Sequence, residues 1–125
     1  MSTKLADVQN EALVGVSVYP ATVNDTNNGS AVDMIDADGS CFAVQVIGAV
    51  GGTTPSLTCK IQESADNSTW TDIPGATFTA VTVSNNLQTI TFERTKRYLR
   101  HARTAAGTSP TFVLGVLIGE QKKSI

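Results

Sequence analysis

Few residues in this 125-residue chain have the chemistry of a catalytic site, and their spacing does not assemble one. His101 is the only histidine, so no histidine pair with metal-ligand spacing exists. No Gly-x-Ser-x-Gly sequence presents a serine nucleophile, and no Gly-x-x-x-x-Gly-Lys loop is available for phosphate groups. We therefore predict that the chain is not an enzyme, and that it has no catalytic residues, no metal ligands and no cofactor.

The two cysteines and a group of aspartates are the other candidates for chemistry. Cys41 and Cys59 each lie within an apolar run, which indicates buried thiols rather than a disulfide. The aspartates are Asp33, Asp36 and Asp38, and the stretch Asp36-Ala37-Asp38-Gly39 is similar to the start of a calcium-binding loop that begins at Asp36. Such a loop needs a bidentate glutamate at its twelfth position, which here is Ile47, so the aspartates are expected to stabilise a turn.

A basic cluster between positions 94 and 103 holds five of the nine lysines and arginines. Tyr98 is the only aromatic residue inside it, and the net charge of the chain is −2, so nucleic acid is not the expected partner. A solvated strand face is one interpretation, and contact with an acidic protein surface is the other. With the C-terminal lysines, the candidate partner-binding residues are Arg94, Lys96, Arg97, Arg100, Arg103, Lys122 and Lys123.

The sequence pattern predicts that the elements that position these residues are all strands. Charged residues make up 16% of the chain, below the usual share of about a quarter. Most of the other polar positions are threonine, serine, asparagine or glycine, which suit strands and turns. Apolar residues alternate with period two from Leu13 to Tyr19, with Pro20 as the expected end of that strand, and again from Leu57 to Gln62. The run Thr111 to Ile118 is apolar on both faces, which is typical of a central or covered strand.

Together these patterns predict an all-β fold, an antiparallel β-sandwich of jelly-roll or Greek-key type with about eight to ten short strands. Glycines and threonines at 48–55 predict a flexible loop between two of them. The expected organisation is an N-terminal arm at 1–12, a domain at 13–119 and a C-terminal tail at 120–125. No signal peptide or membrane-spanning run is present, so no membrane partner is expected and the chain should stay in the cytoplasm where it is made.

Three segments resemble small structural proteins of tailed bacteriophages: Lys60 to Gly75 with its turn and Trp70, Thr95 to Arg100, and Gly107 to Phe112. The resemblance covers residues 41 to 123 and is closest to head decoration, or cement, proteins. It implies a virion protein on the capsid surface, assembled in the host cytoplasm and bound to the major capsid protein. It also implies a homo-oligomer, with a trimer favoured, and it transfers no catalytic or ligand residues.

Two further functions remain open from the sequence. The hairpin around Trp70 is also similar to one in discoidin-type and other carbohydrate-binding modules, so the chain could be a glycan-binding module of a tail or fibre. That function needs an exposed aromatic platform, whereas a decoration protein is expected to bury Trp70 in its core. A tail or head-completion protein is the other alternative, and it would form a ring around a channel.

Overall fold

The computed structural model describes residues 12–122, which form seven antiparallel strands and no helix. The predicted all-β, antiparallel class is therefore confirmed. Ala12 begins the first strand, and the other residues of the predicted arm lie outside the described range, as does Lys123. The strands are β1 (Ala12–Val23), β2 (Asn27–Asn28), β3 (Val32–Asp33), β4 (Ala37–Ser64), β5 (Thr71–Thr77), β6 (Asn86–Phe92) and β7 (Tyr98–Lys122).

Two long strands form the axis of the fold. β4 has 28 residues and β7 has 25, and they pair antiparallel from Ala37 opposite Lys122 to Ser64 opposite Tyr98. At one end of this ladder, β1 pairs with β7 and β6 pairs with β4, which gives the strand order β1–β7–β4–β6. At the other end, β5 pairs with β4, and the short β2 and β3 pair with β7.

The predicted division into eight to ten short strands is wrong, because segments predicted as separate, consecutive strands are parts of one long strand. The runs starting at Cys41 and Leu57 both belong to β4, and the predicted loop at 48–55 is the middle of that strand. It pairs with the middle of β7, through contacts such as Gly51 opposite Thr111 and Thr53 opposite Thr108. The turn-forming residues act here as bulges inside a ladder, which bend it without ending it.

A repeated four-residue sequence lies where the two long strands bend. Gly52-Thr53-Thr54-Pro55 in β4 faces Gly107-Thr108-Ser109-Pro110 in β7. The glycines have φ values of +101° and +112°, and Thr54 and Ser109 have +47° and +48°. A Cβ on Gly52 would lie 2.6 Å from the carbonyl oxygen of Ser109, and one on Gly107 would lie 2.7 Å from that of Thr54. Each glycine thus admits the backbone of the opposite strand, in a locally two-fold arrangement.

The first and the last strand also differ from expectation. β1 does not end at Pro20 but continues to Val23, with a register shift between Val18 and Ala21. A proline is tolerated there because β1 lies at the edge of the sheet, where a missing N–H breaks no ladder bond. At the other terminus, Glu120 to Lys122 of the predicted tail are part of β7.

The core lies along the inner side of the ladder. β7 contributes Phe112, Leu114, Val116 and Ile118, all essentially inaccessible, and its run between β1 and β4 confirms the predicted central strand. Cys41 and Cys59 are also buried and free, which confirms the prediction of two buried thiols. Burial raises the pKa of both thiols to about 12, so neither is a nucleophile at neutral pH.

The bend predicts a graded response to alanine at three glycines with positive φ. Gly75 has φ of +81° and no atom within 4 Å of the position that a Cβ would take, so Gly75→Ala should lower the free energy of unfolding by about 1 kcal/mol through backbone strain alone. Gly52→Ala and Gly107→Ala add a clash with backbone and should lower it by about 3 kcal/mol. Urea unfolding of the three variants measures the difference, and equal losses at Gly75 and Gly107 would contradict the close approach.

Candidate functional site

The outer face of the β1–β7–β4–β6 end is apolar. Along β4, Cys41, Ala43, Gln45 and Ile47 are buried, and the alternating residues point to the other side of the sheet. Across the ladder these outward positions meet outward positions of β7, with Val44 opposite Leu117. This surface, called the apolar face below, is formed by Val14, Val16, Phe42, Val44, Val46, Leu87, Thr89, Thr91, Val113, Gly115 and Leu117.

The apolar face has no charged side chain. The strand segments that form it are 13–23, 41–50, 86–92 and 111–119, and none of them contains Asp, Glu, Lys or Arg. Eight large apolar side chains are exposed within residues 12–122, and five of them lie on this face: Val14, Val46, Leu87, Val113 and Leu117. Leu87 is 68% exposed and Val46 is 51% exposed. Concentration of exposed apolar groups on one face, without charge, is typical of a surface that another molecule covers.

Two grooves cross the apolar face on either side of Pro20. Gly115 lies beneath this proline, because a Cβ at Gly115 would be 3.4 Å from the Pro20 Cγ atom. One groove has a volume of about 260 Å³ and is lined by valines of β1 and β4 with Leu117. The other has a volume of about 150 Å³ and extends to Val113. Since an apolar cavity of about 150 Å³ can hold a benzene ring, each groove can accept an apolar side chain.

The basic cluster is not brought together as one surface. The register of β7 is unbroken from Tyr98 to Ala106, so Arg100 and Arg103 project to opposite sides of the strand. Arg103 is buried and donates to the Asp25 carboxylate at 2.7 Å, a bond that lowers the pKa of Asp25. Arg97 donates two hydrogen bonds to the carboxylate of Asp33, at 2.8 and 2.7 Å, and likewise lowers its pKa.

Arg94 is a structural residue that holds the end of the ladder. Its guanidinium lies 2.7 Å from the buried carboxylate of Glu120, and it also donates to the carbonyl oxygens of Lys96, Met34 and Ala37, each at 2.9 Å. Five donors in a planar fork suit this task better than a lysine would. With its donors directed inward, Arg94 has little left to offer a partner.

The remaining predicted contact residues lie in separate places. Lys96 is half-buried and donates to the Thr71 hydroxyl at 3.1 Å, and Lys122 ends β7 on the surface. Arg100 donates to Gln62 at 2.9 Å, and its guanidinium carbon lies 4.4 Å from the centre of the Trp70 ring. Trp70 is half-buried and is not part of the core, so the expected burial of Trp70 in a decoration protein is wrong. The cation–π contact with Arg100 occupies one face of its ring.

His101 is buried in the core and joins the two ends of the ladder. Its Nε2 atom lies 2.8 Å from Oε1 of Gln45, which belongs to the first part of β4, whereas the sheet register pairs His101 with Ile61. The Phe78 ring packs against it with centroids 5.7 Å apart. Burial lowers the pKa of His101 to about 4, and the nearby positive charge of Arg103 is a smaller cause of the same shift. The imidazole is therefore neutral at physiological pH.

The sequence contains a pattern that indicates the apolar face, but the prediction of contact residues was based on the basic cluster instead. Cationic residues that are close in sequence form a basic surface only if no carboxylates pair with them in the folded protein. The better signal was the absence of charge from four strand segments that also place apolar residues at alternate, outward positions. A half-exposed antiparallel strand usually has polar residues there.

No protein-family model matches this chain, and no curated protein matches it. Within residues 12–122, no group of three or more His, Cys, Asp or Glu side chains is placed to hold a metal ion, and Asp33 is instead bonded to Arg97. No helix in the described range is long and apolar enough to span a membrane. The apolar face is therefore the feature of the described chain on which a functional hypothesis can be built.

Buried His101 predicts a loss of stability in mild acid. The unfolded chain binds a proton at a pKa near 6.5 and the folded chain only near 4, so stability is complete above pH 6.5 and decreases as the pH falls towards 4. The loss at pH 4 should be about 3 kcal/mol. His101→Gln should remove the slope in the upper part of this range, above the range in which carboxylates such as Asp25 and Asp33 lose stability, whatever its effect on stability at pH 7. Urea unfolding at several pH values measures both, and identical slopes between pH 4 and 6.5 would contradict the assignment.

Proposed function

We propose that this chain is a structural protein of a tailed bacteriophage, a decoration or cement protein that binds the outside of the capsid shell and stabilises it. The observation that carries the proposal is the apolar face, because exposed apolar groups concentrated on one uncharged face are typical of an interaction surface. The resemblance of residues 41 to 123 to phage head proteins supplies the kind of assembly. The partner is then the major capsid protein, on the capsid surface, after assembly in the host cytoplasm.

The architecture supports a mechanical role. β4 and β7 pair along almost their whole length, and five hydrogen bonds of the Arg94 and Glu120 side chains close the end of this ladder. A protein that reinforces a shell benefits from such rigidity, because a flexible one would lose more conformational entropy on binding. Many copies on a repeating lattice also gain avidity without strong individual contacts.

We further infer that the bent ladder forms a two-layered β-sandwich. The bond between Gln45 and His101 supports it, because these residues lie on different ends of the ladder and meet in the core. The His101 backbone N–H also donates to the Ser17 hydroxyl of β1 at 3.0 Å. Strands that pass from one layer to the other through bulges are a known way to make the corners of such a sandwich.

The glycan-binding alternative has less support. Trp70 is half-buried beneath Arg100, and Arg97 lies 5.0 Å from the centre of the Tyr98 ring, so cations already occupy both. Tyr19 is 74% exposed and would have to act as the stacking platform alone. No feature of the described residues specifically favours a tail or head-completion protein over a decoration protein.

Co-sedimentation with empty capsids tests the proposed function. The purified chain is titrated against capsids of the phage that encodes it, and against capsids of an unrelated phage as the control. We expect saturable binding at a fixed ratio to the major capsid protein, and decorated capsids that resist heat better than bare ones, because each bound copy adds contacts between shell subunits. No binding at low and at moderate salt, or equal binding to both capsids, would contradict the proposed function.

A further inference from the structure

We propose that the apolar face docks a second copy of this chain, so that the proposed decoration protein is presented to the shell as a two-fold dimer rather than as the trimer that the resemblance favours. This deepens the proposed function by naming the occupant of the face. The occupant is inferred from three properties of the face: its charge, its size and its shape.

The distribution of charge favours a second copy over a different protein. Charged residues lie outside the four strand segments of the apolar face: Glu93 borders it and accepts a hydrogen bond from the Ser40 hydroxyl at 2.8 Å. Others form pairs farther away, such as Lys60 with Asp72 at 2.9 Å and Arg97 with Asp33 at 2.7 Å. Complementary charges normally steer an association between different proteins and exclude wrong partners. The apolar face has no charged side chain that could steer a different protein in this way. A symmetric dimer places one patch against itself, and a charge close to the two-fold axis would meet its own sign, so a face whose centre has no charge suits it.

The size of the face indicates reversible association. Four strands about 4.8 Å apart, each contributing about seven residues at about 3.4 Å, give a flat footprint of about 450 Å². An ordinary stable interface buries about 800 Å² on each partner. The grooves and protruding side chains add area to the flat footprint. A face below the ordinary size is expected to associate weakly and reversibly.

The shape of the face is complementary to itself. Two copies can pack face to face about a two-fold axis that lies in the plane of contact, parallel to the strands and midway between β7 and β4. Since the strand order is β1–β7–β4–β6, this axis would place β6 of one copy over β1 of the other. Leu87 is the most exposed aliphatic residue of the face and projects from β6. The grooves beside Pro20 lie over β7, between Pro20 of β1 and Val46 of β4, and Val46 is opposite Leu87 in the sheet. Leu87 of each copy would then face a groove of the other.

Sedimentation equilibrium on the full-length chain tests this inference without capsids. The variants are Val46→Glu at the centre of the face and Leu87→Glu at its protruding edge. Ile35→Glu is the matched control, because Ile35 is 46% exposed and Val46 is 51% exposed, but Ile35 lies outside the apolar face. Circular dichroism and thermal unfolding establish that each variant is folded, and Leu87→Glu keeps the test open if Val46→Glu does not fold.

We expect the wild type and Ile35→Glu to associate at about 100 µM and to dissociate on dilution. Val46→Glu and Leu87→Glu should associate at least about tenfold more weakly, because docking would bury an unpaired carboxylate. The inference is overturned by a wild type that stays monomeric, by folded face variants that associate like the wild type, or by an Ile35→Glu control that dissociates as they do.

The capsid experiment separates this inference from the proposed function. A monomeric wild type that binds capsids, with binding lost in Val46→Glu, would assign the face to the shell; self-docking would be wrong and the decoration role would stand. A wild type that associates through the face but binds no capsid would support self-docking and contradict the decoration role.

Discussion

The close approach of two backbones at Gly52 and Gly107 is the constraint on which the rest of the structure depends. At this point β4 and β7 both bend, and each strand occupies the space in which the other would need a Cβ atom. Because the two strands stay paired through the bend, one ladder supplies both ends of the fold. Every other strand attaches to that ladder, so the position of the apolar face follows from it.

The two ends of the ladder differ in chemistry although they share their strands. At the β1–β7–β4–β6 end, outward positions are apolar and free of charge; at the other end, the same two strands carry Lys60 and Arg100. Arginine–carboxylate pairs bind distant segments together, as Arg103 does with Asp25 and Arg94 with Glu120. The Arg103–Asp25 pair lies at this second end, whereas the Arg94–Glu120 pair borders the first end, where Glu120 lies opposite Cys41. Both pairs stabilise the fold from outside the apolar face, which is left with a surface suited to association.

The sequence predicts the class of the fold better than its connections. Alternation and composition are local, so the antiparallel all-β class, the central strand at 111–118 and the buried thiols could be inferred. The bend could not, because Gly52 and Pro55 have the chemistry of a turn, and only their pairing with Gly107 and Pro110 makes them bulges. The repeat of Gly-Thr-Thr-Pro as Gly-Thr-Ser-Pro was the available clue to that pairing.

The candidate site was predicted less well, for a related reason. Arg94, Arg97 and Arg103 are neighbours in sequence, but their partners Glu120, Asp33 and Asp25 lie far from them along the chain. Sequence proximity therefore suggested an exposed basic surface where the fold makes internal pairs. An uncharged face is harder to notice, since it is recognised by what four separate segments lack.

A docking role for the apolar face requires that it be covered when the protein is in its working assembly. Hydroxyl-radical footprinting tests this most directly, by comparing the dilute chain with the same chain bound to capsids. We expect Val46, Leu87 and Leu117 to lose most of their reactivity in the assembly, while Ile35 keeps its own. Equal reactivity of these three side chains in both states would contradict a docking role for the face.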